Sequence, residues 1–271
     1  MEKVRRVERM AALTKQLVDH PQELLSLNDF CDLFGIAKST LSEDLNALRK
    51  GIEKYGLGKL ETVAGAAGGV RYIPYRSGKM ANDVLLTVKE KLEDPARIIP
   101  GGFIYMSDIL CDATLSMQLG EVLMTRFAHM KPDYILTVET KGIPLALMVA
   151  KAFHKPLVIA RRDSKVTEGS SIGINYVSGP QGKLQTMSLT KRALAPHSRV
   201  LIIDDFMRGG GTIKGMHELI SEIGSQVVGV GVLMATEEPQ EKMVSDYTAL
   251  FSCRYGEEKA YLDITPNFDV E

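Results

Sequence analysis

The stretch VLIIDDFMRGGGTI, Val200 to Ile213, constrains this chain more than any other. Four apolar residues run into Asp204 and Asp205, and three glycines then lead into Thr212 and a helical pattern. A short apolar run ending in glycines reads as a buried strand that turns into a helix. Two carboxylates side by side at the end of such a strand are costly unless something partners them. Adjacent carboxylates suit vicinal hydroxyls, such as those of a ribose. Gly209, Gly210 and Gly211 expose successive backbone N–H groups, and the Thr212 hydroxyl and the helix N-terminus add donors, a combination that holds a phosphate. Diol acceptors beside a phosphate cradle point to a ribose 5-phosphate. Neither the Gly-Lys-Ser/Thr of a Walker loop nor the GxGxxG of dinucleotide sites occurs here.

The surrounding sequence predicts an α/β fold. DYILTV, KPLVIARR, RVLIIDDF and QVVGVGVLM read as short strands, and IPLALMVAKAF and TIKGMHELISEIG as helices between them. This alternation predicts a mostly parallel sheet with helices on both faces. Ligands of such sheets bind at the carboxyl ends of the strands. Upstream, a helix is expected from about Asn82 to Glu93, then a loop with a strand-like stretch, PARIIPGGFIYMSDIL. The polar MATEEPQEKMVSDYTALF after QVVGVGVLM has a mostly helical pattern.

The first 75 residues read differently. Val7, Met10, Leu13, Leu17 and Val18 recur at helical spacing, and Pro21 ends that helix. Ser26 can cap a short helix reaching about Phe34, with Asp29 placed as in a capping box. Gly35 suits a sharp turn, and a second helix from Ala37 or Lys38 carries Leu41, Leu45, Leu48 and Ile52 on one face. The result is a helix-turn-helix, and KLETVAGAAGGVRYIPY then reads as two strands around a flexible tip, a wing. Lys38, Ser39, Thr40, Ser42 and Asn46 would face a DNA groove, while Arg71, Lys3, Arg5 and Arg6 suit phosphates. Against this stand Glu43 and Asp44 in the same helix, which would equally suit a small dimerisation module. The domains expected are 1–75, a winged helix, and 76–271, the ligand-binding unit.

VLIIDDFMRGGGTI resembles the phosphoribosyl-pyrophosphate (PRPP) motif of the type I phosphoribosyltransferase family, with Gly209 where many members carry threonine. The resemblance implies that Asp204 and Asp205 take the ribose hydroxyls. Arg208, Gly209, Gly210, Gly211 and Thr212 would then take the 5′-phosphate, with Phe206 alongside. VETKGIP, by itself an ordinary polar turn, resembles the family's pyrophosphate loop, so Thr140, Lys141 and Gly142 join the PRPP-binding set. RRDSKVTEGSSIGINYVSG is either a solvated hairpin or the family's flexible loop, with Arg161, Arg162 and Lys165 as its cations. Tyr105 and Phe206 are aromatics able to stack on a ligand or simply to pack.

A winged helix joined to a phosphoribosyltransferase-like domain is similar to the purine operon regulators of Gram-positive bacteria. KSTLSEDL, AGAAGGV, KVTEGS, INYVSG and LIIDDFM carry that likeness along the whole chain. It implies a homodimer that binds purine-gene control regions in double-stranded DNA and senses PRPP, with Mg²⁺ travelling on the ligand. Guanosine tetraphosphate is a second candidate for the pocket. Two functions compete: a non-catalytic regulator that reads PRPP, and an active purine phosphoribosyltransferase with an accessory module. Transfer requires a base held against the anomeric carbon, and no base-stacking aromatics stand out after QVVGVGVLM.

Composition narrows the rest. A net charge of −1 gives the whole chain no pull on polyanions, so DNA binding would rest on local clusters. Cys31, Cys111 and Cys253 are scattered and odd in number, and are expected reduced and buried, without a metal. No apolar run approaches a membrane span and the N-terminus lacks a signal-peptide core, so a cytoplasmic protein with no membrane partner is expected.

Overall fold

A computed structural model describes residues 4–65, 68–99, 103–162, 170–178, 183–255 and 262–268. The chain divides into two units, with the main boundary at Arg76–Ser77 and the short segment Lys151–His154 grouped with the first.

In the first unit, α1 (Arg6–Asp19) is followed by β1 (Leu25–Ser26), α2 (Leu27–Phe34), α3 (Lys38–Lys54), β2 (Lys59–Val63) and β3 (Gly69–Ile73). Ser26 starts α2 as expected, its hydroxyl accepting the N–H groups of Asn28 and Asp29 at 3.2 and 3.4 Å. Gly35 adopts a left-handed φ of 61°, which lets the chain turn sharply into α3. The wing is a three-stranded antiparallel sheet in the order β1-β3-β2, one strand more than the hairpin read from sequence. The extra strand is only two residues long, too short to leave a period of its own. Leu13, Leu17, Phe30, Phe34, Leu41, Leu45, Ile52, Leu60, Val70 and Tyr72 form the core.

Asp44 does not face a groove. Its side chain is 2% exposed and lies against α1, where Arg9 Nη2 meets Oδ2 at 2.8 Å and Arg6 Nε meets Oδ1 at 3.0 Å. Arg9 is itself buried, and its Nη1 donates to the Val4 carbonyl at 2.9 Å. The acidic residue that weakened the DNA reading is thus a neutralised strut between two helices.

The second unit begins with α4 (Gly78–Leu92), four residues earlier than expected. The PARIIPGGFIYMSDIL segment forms a minimal pair, β4 (Ile98–Ile99) and β5 (Phe103–Ile104), then α5 (Ser107–Leu110). The following α6 (Ala113–Phe127) had not been read from the sequence; Asp112 caps it by accepting from the N–H groups of Thr114 and Leu115. Next come β6 (Tyr134–Val138), α7 (Ile143–Phe153), β7 (Leu157–Ala160), β8 (Ser171–Ser178), β9 (Lys183–Thr190), β10 (Arg199–Met207), α8 (Gly211–Glu222), β11 (Gln226–Thr236), β12 (Thr248–Tyr255) and β13 (Leu262–Pro266).

Six strands form one sheet in the order β13-β12-β11-β10-β6-β7, parallel except for β13. β8 and β9 pair separately as an antiparallel hairpin. Alternate β10 residues face opposite layers. Val200 and Ile202 join a core with Met216, Leu219 and Ile220 of α8 and with Tyr176 and Met187 of the hairpin. On the other face, a side chain at Gly229 or Gly231 would strike Phe127 of α6 and Leu201 or Ile203 of β10. The expected sheet with helices on both faces is therefore present.

The helical reading of MATEEPQEKMVSDYTALF is corrected. Residues 237–247 form no regular element, and Thr248 onwards is β12. The apolar YTALF run ends in a strand because β11 would otherwise leave an edge unpaired. The cysteines also depart from expectation: all are free, but only Cys253 is buried and Cys111 is exposed.

The Asp44 strut gives a stability prediction. Asp44→Ala leaves the buried Arg9 unpaired and should cost about 3–5 kcal/mol. Adding Arg9→Met should recover most of that loss. Urea unfolding of both variants measures the difference, and equal stabilities would show the strut to be inert.

Candidate functional site

Parallel pairing puts the carboxyl ends of β6 and β10 side by side, and the two singled-out loops leave from these ends. Val200 to Ile203 are fully buried, Asp204 is 5% exposed, and Asp205 is half-buried. Asp204 Oδ1 accepts the Asp205 N–H at 3.0 Å. Burial pushes the Asp204 carboxyl well above the usual range, and the neighbouring charge of Asp205 pushes the same way. Burial also raises Asp205, opposed by its hydrogen bond with Asp204 and by the Lys141 ammonium. The pair therefore keeps a proton to higher pH than exposed carboxyls would.

Gly142 packs directly on this pair. A Cβ there would lie 2.9 Å from Asp204 Oδ1 and 2.6 Å from Thr137 Oγ1. Only glycine lets the loop after β6 approach Asp204 so closely. Thr140 and Lys141 on that loop are exposed, and the Glu139–Thr140 peptide is cis. Glu139 Oε1 accepts the Arg162 N–H at 2.7 Å, tying the ends of β6 and β7 together. The Arg162 charge acts on both Asp204 and Tyr176. The Arg161 backbone, by contrast, exchanges hydrogen bonds with Ser188 of β9. Lys165, like Lys3 in the first unit, lies outside the described residues.

The glycine loop is held from behind by residues that carried no sequence signal. Lys242 Nζ donates to the Arg208 carbonyl at 2.8 Å and to the Pro239 carbonyl at 3.0 Å, and burial lowers its pKa. The Met243 N–H donates to the Gly209 carbonyl at 2.9 Å. A trans peptide's N–H points away from its carbonyl. Fixing the Arg208 and Gly209 carbonyls on this brace therefore turns the Gly209 and Gly210 N–H groups the other way. Gly210 has a φ of 80° and leads into α8, whose first turn adds its own free N–H groups.

Two close approaches fix the other side. A side chain at Gly211 would run into the Val177 carbonyl, and one at Gly215 would meet the Tyr176 ring at 2.9 Å. The Tyr176 hydroxyl donates to Gln185 Oε1 at 2.8 Å. The hairpin is thus seated on the start of α8. Gly209 has open space where a Cβ would be, so the missing threonine reflects no steric bar. Phe206 is half-buried, while Tyr105 is drawn to Arg97, whose guanidinium lies 5.9 Å from its ring and donates to its carbonyl.

In the first unit, Lys38, Ser39, Ser42 and Asn46 are exposed on α3 and Thr40 is half-buried. Arg5 is exposed; Arg6 is largely exposed but commits Nε to Asp44. Arg71 is paired with Glu61 at 2.6 Å. Arg49, absent from the sequence reading, joins α3 to the wing through the Leu60 carbonyl and the Thr62 hydroxyl.

Residues 5–74 match the family described as bacterial purine repressor, N-terminal, and residues 117–263 match the phosphoribosyl transferase domain. The chain is 45% identical to the purine biosynthesis transcriptional repressor PurR of Bacillus subtilis (strain 168), over 92% of this chain and 88% of that one. It is 38% identical to the purine biosynthesis transcriptional activator PurR of Lactococcus lactis subsp. lactis (strain IL1403), over 91% of each. Among solved structures, adenine phosphoribosyltransferase from Thermoanaerobacter pseudethanolicus ATCC 33223 superposes with a TM-score of 0.55 at 21% identity. That superposition covers 62% of this chain and 99% of that one, a likeness of fold. Among the described residues, no helix is long and apolar enough to cross a membrane.

The buried pair makes stability depend on pH. Because burial raises Asp204, the folded state retains a proton that the unfolded chain loses above about pH 4. The unfolded state then binds fewer protons, so stability declines as pH rises from about 4 through the raised pKa. Asp204→Asn removes this decline. Its melting temperature should exceed that of the unmodified protein by roughly 2–4 °C at pH 7–8, for a gain of about 1 kcal/mol. The gap should close towards pH 4. A gap independent of pH would mean that the carboxyl charge is not its source.

Proposed function

Because the chain belongs to the PurR family of purine biosynthesis transcriptional regulators, we propose that it controls purine genes through its winged helix in response to PRPP bound at the end of β10. The observation that carries the effector assignment is the buried Asp204–Asp205 pair beside a glycine loop whose N–H groups are turned outward. Ribose hydroxyls donate to the two carboxyls, and the 5′-phosphate takes the N–H groups of Gly209 to Thr212 and the positive end of α8. The pyrophosphate lies towards Thr140, Lys141 and Gly142, with the Arg162 charge nearby. Mg²⁺ arriving with PRPP is held through phosphate oxygens and water. Guanosine tetraphosphate offers the same cradle a phosphorylated ribose and competes for it.

We read this site as one that binds and does not turn over. Relatives matching over about nine-tenths of the chain are named as regulators. Gly209 supplies a backbone donor but no hydroxyl. Repression or activation depends on where the DNA site lies relative to polymerase, and the relatives carry both names. The working form is a homodimer, the arrangement in which two recognition helices meet two half-sites.

The double variant Asp204→Ala, Asp205→Ala should lose the PRPP response, with affinity for PRPP falling at least 100-fold, while operator binding without PRPP stays within about twofold. Isothermal titration with PRPP and a mobility-shift titration on a purine-gene control region measure the two. A retained response would place the sensor elsewhere. Incubation with PRPP and each purine base should release no pyrophosphate above background, and steady turnover would make the protein a transferase.

A further inference from the structure

Asn46 and Arg49 on α3 carry an arrangement that bears on which base the wing-and-helix unit prefers. Asn46 is exposed, on the same helical stripe as Ser39 and Ser42. Arg49 Nη1 lies 2.9 Å from its side-chain amide. A guanidinium has five N–H donors and no acceptor, so the amide atom facing it is the oxygen. The amide orientation is therefore fixed by chemistry. Arg49 cannot easily turn away, because its Nε donates to the Leu60 carbonyl at 3.1 Å and its Nη2 to the Thr62 hydroxyl at 2.6 Å. Both acceptors belong to β2, so the clamp spans helix and wing. Oδ1 is held inward and Nδ2, with its two hydrogens, is left outward.

Resting on the reading of α3 as the recognition helix, we propose that Asn46 is a specificity-determining residue that reads one base of each half-site as a donor only, with Arg49 as its positioning residue. Adenine is ordinarily read by an asparagine using both amide atoms, oxygen to N6 and nitrogen to N7. With one lone pair of Oδ1 committed to Arg49 that pairing is weakened, and adenine is left chiefly one acceptor, N7, for Nδ2. Guanine presents two acceptors in the major groove, N7 and O6, and both suit Nδ2, whereas adenine N7 and thymine O4 each offer it one. Cytosine presents only its N4 amino group, a donor facing a donor, and is rejected. The preferred base is guanine.

The test is binding-site selection by the full-length protein from duplexes with a randomised half-site. The unmodified protein should select guanine at one position. Asn46→Asp keeps an acceptor for Arg49 but presents an oxygen to the groove, so the choice at that position should move from guanine to cytosine. Asn46→Ala should flatten discrimination there by on the order of tenfold and leave other positions unchanged. This second variant carries the test if the added charge of Asn46→Asp weakens binding too far for selection. Arg49→Met, with its melting checked against the unmodified protein, should admit adenine beside guanine. Identical profiles for the unmodified protein and Asn46→Ala would overturn the inference, as would adenine at the Asn46-dependent position in the unmodified protein. Ser39→Ala and Ser42→Ala separate this failure from a broader one. If they alter the profile and the Asn46 variants do not, the donor assignment falls alone. If no α3 variant alters it, α3 is not the recognition helix.

Discussion

A carboxyl group buried at the end of the central strand, without the direct arginine contact that Asp44 enjoys, governs the larger unit. Asp204 sits where four fully buried residues of β10 deliver it, and the strand cannot end sooner without losing its pairing to β11. The surroundings are fitted to that position. Gly142 yields its side chain so that the neighbouring loop can close over the carboxyl, and Asp205 shares the proton economy of the pair. A buried carboxyl without a cationic partner in contact is costly to hold. A stability–function trade-off of this kind is expected wherever a binding site must hold charge in a dry place.

The phosphate side depends on a second constraint, the planarity of the peptide. A loop of glycines has no shape of its own, because glycine gains the most freedom when unfolded. Here the shape is imposed from outside, by Lys242 and Met243 behind and by the β8–β9 hairpin in front. Lys242 holds a carbonyl, so its charge serves the backbone and lies on the far side of the loop from the N–H groups. The hairpin reaches the start of α8 through the Val177 carbonyl, packed on Gly211, and the Tyr176 ring, packed on Gly215.

The strand, the carboxyl pair and the glycine turn were legible in the sequence because each is local: apolar run, two acids, three glycines, in order. The helix-turn-helix was legible for the same reason, since Ser26, Gly35 and the leucine spacing of α3 all act within a few residues. What escaped was set by distance along the chain. Nothing near Lys242 says that its ammonium meets Arg208, and a polar segment with three glutamates looks helical until β11 claims the following residues as a strand. Helix α6 was missed because it is buried over more than one face, with Leu115, Leu119, Val122, Leu123 and Met124 all inside, which blurs the amphipathic period. Arg71 and Arg6 were legible as cations but not as partners of Glu61 and Asp44.

Asp44 and Asp204 show how the same residue type, buried to the same degree, separates into two roles. Asp44 is met by Arg9 and Arg6 at hydrogen-bond distance, and these two guanidinium groups offset the cost of its burial. Its charge is cancelled within the protein, so it bears on how α1 and α3 pack and removes a repulsion from the helix that faces DNA. Asp204 is met by a second acid and by glycine, and its pKa is raised first by burial and then by the Asp205 charge. A buried carboxyl whose neighbours neutralise it is a structural part; one whose neighbours aggravate it is waiting for something that is not protein. Placed in one chain, the first leaves the cations of α3 without an uncompensated Asp44 charge beside them, and the second keeps a carboxyl pair in a dry place at the head of a glycine loop. The two halves of the regulator are distinguished by what each does with its negative charge.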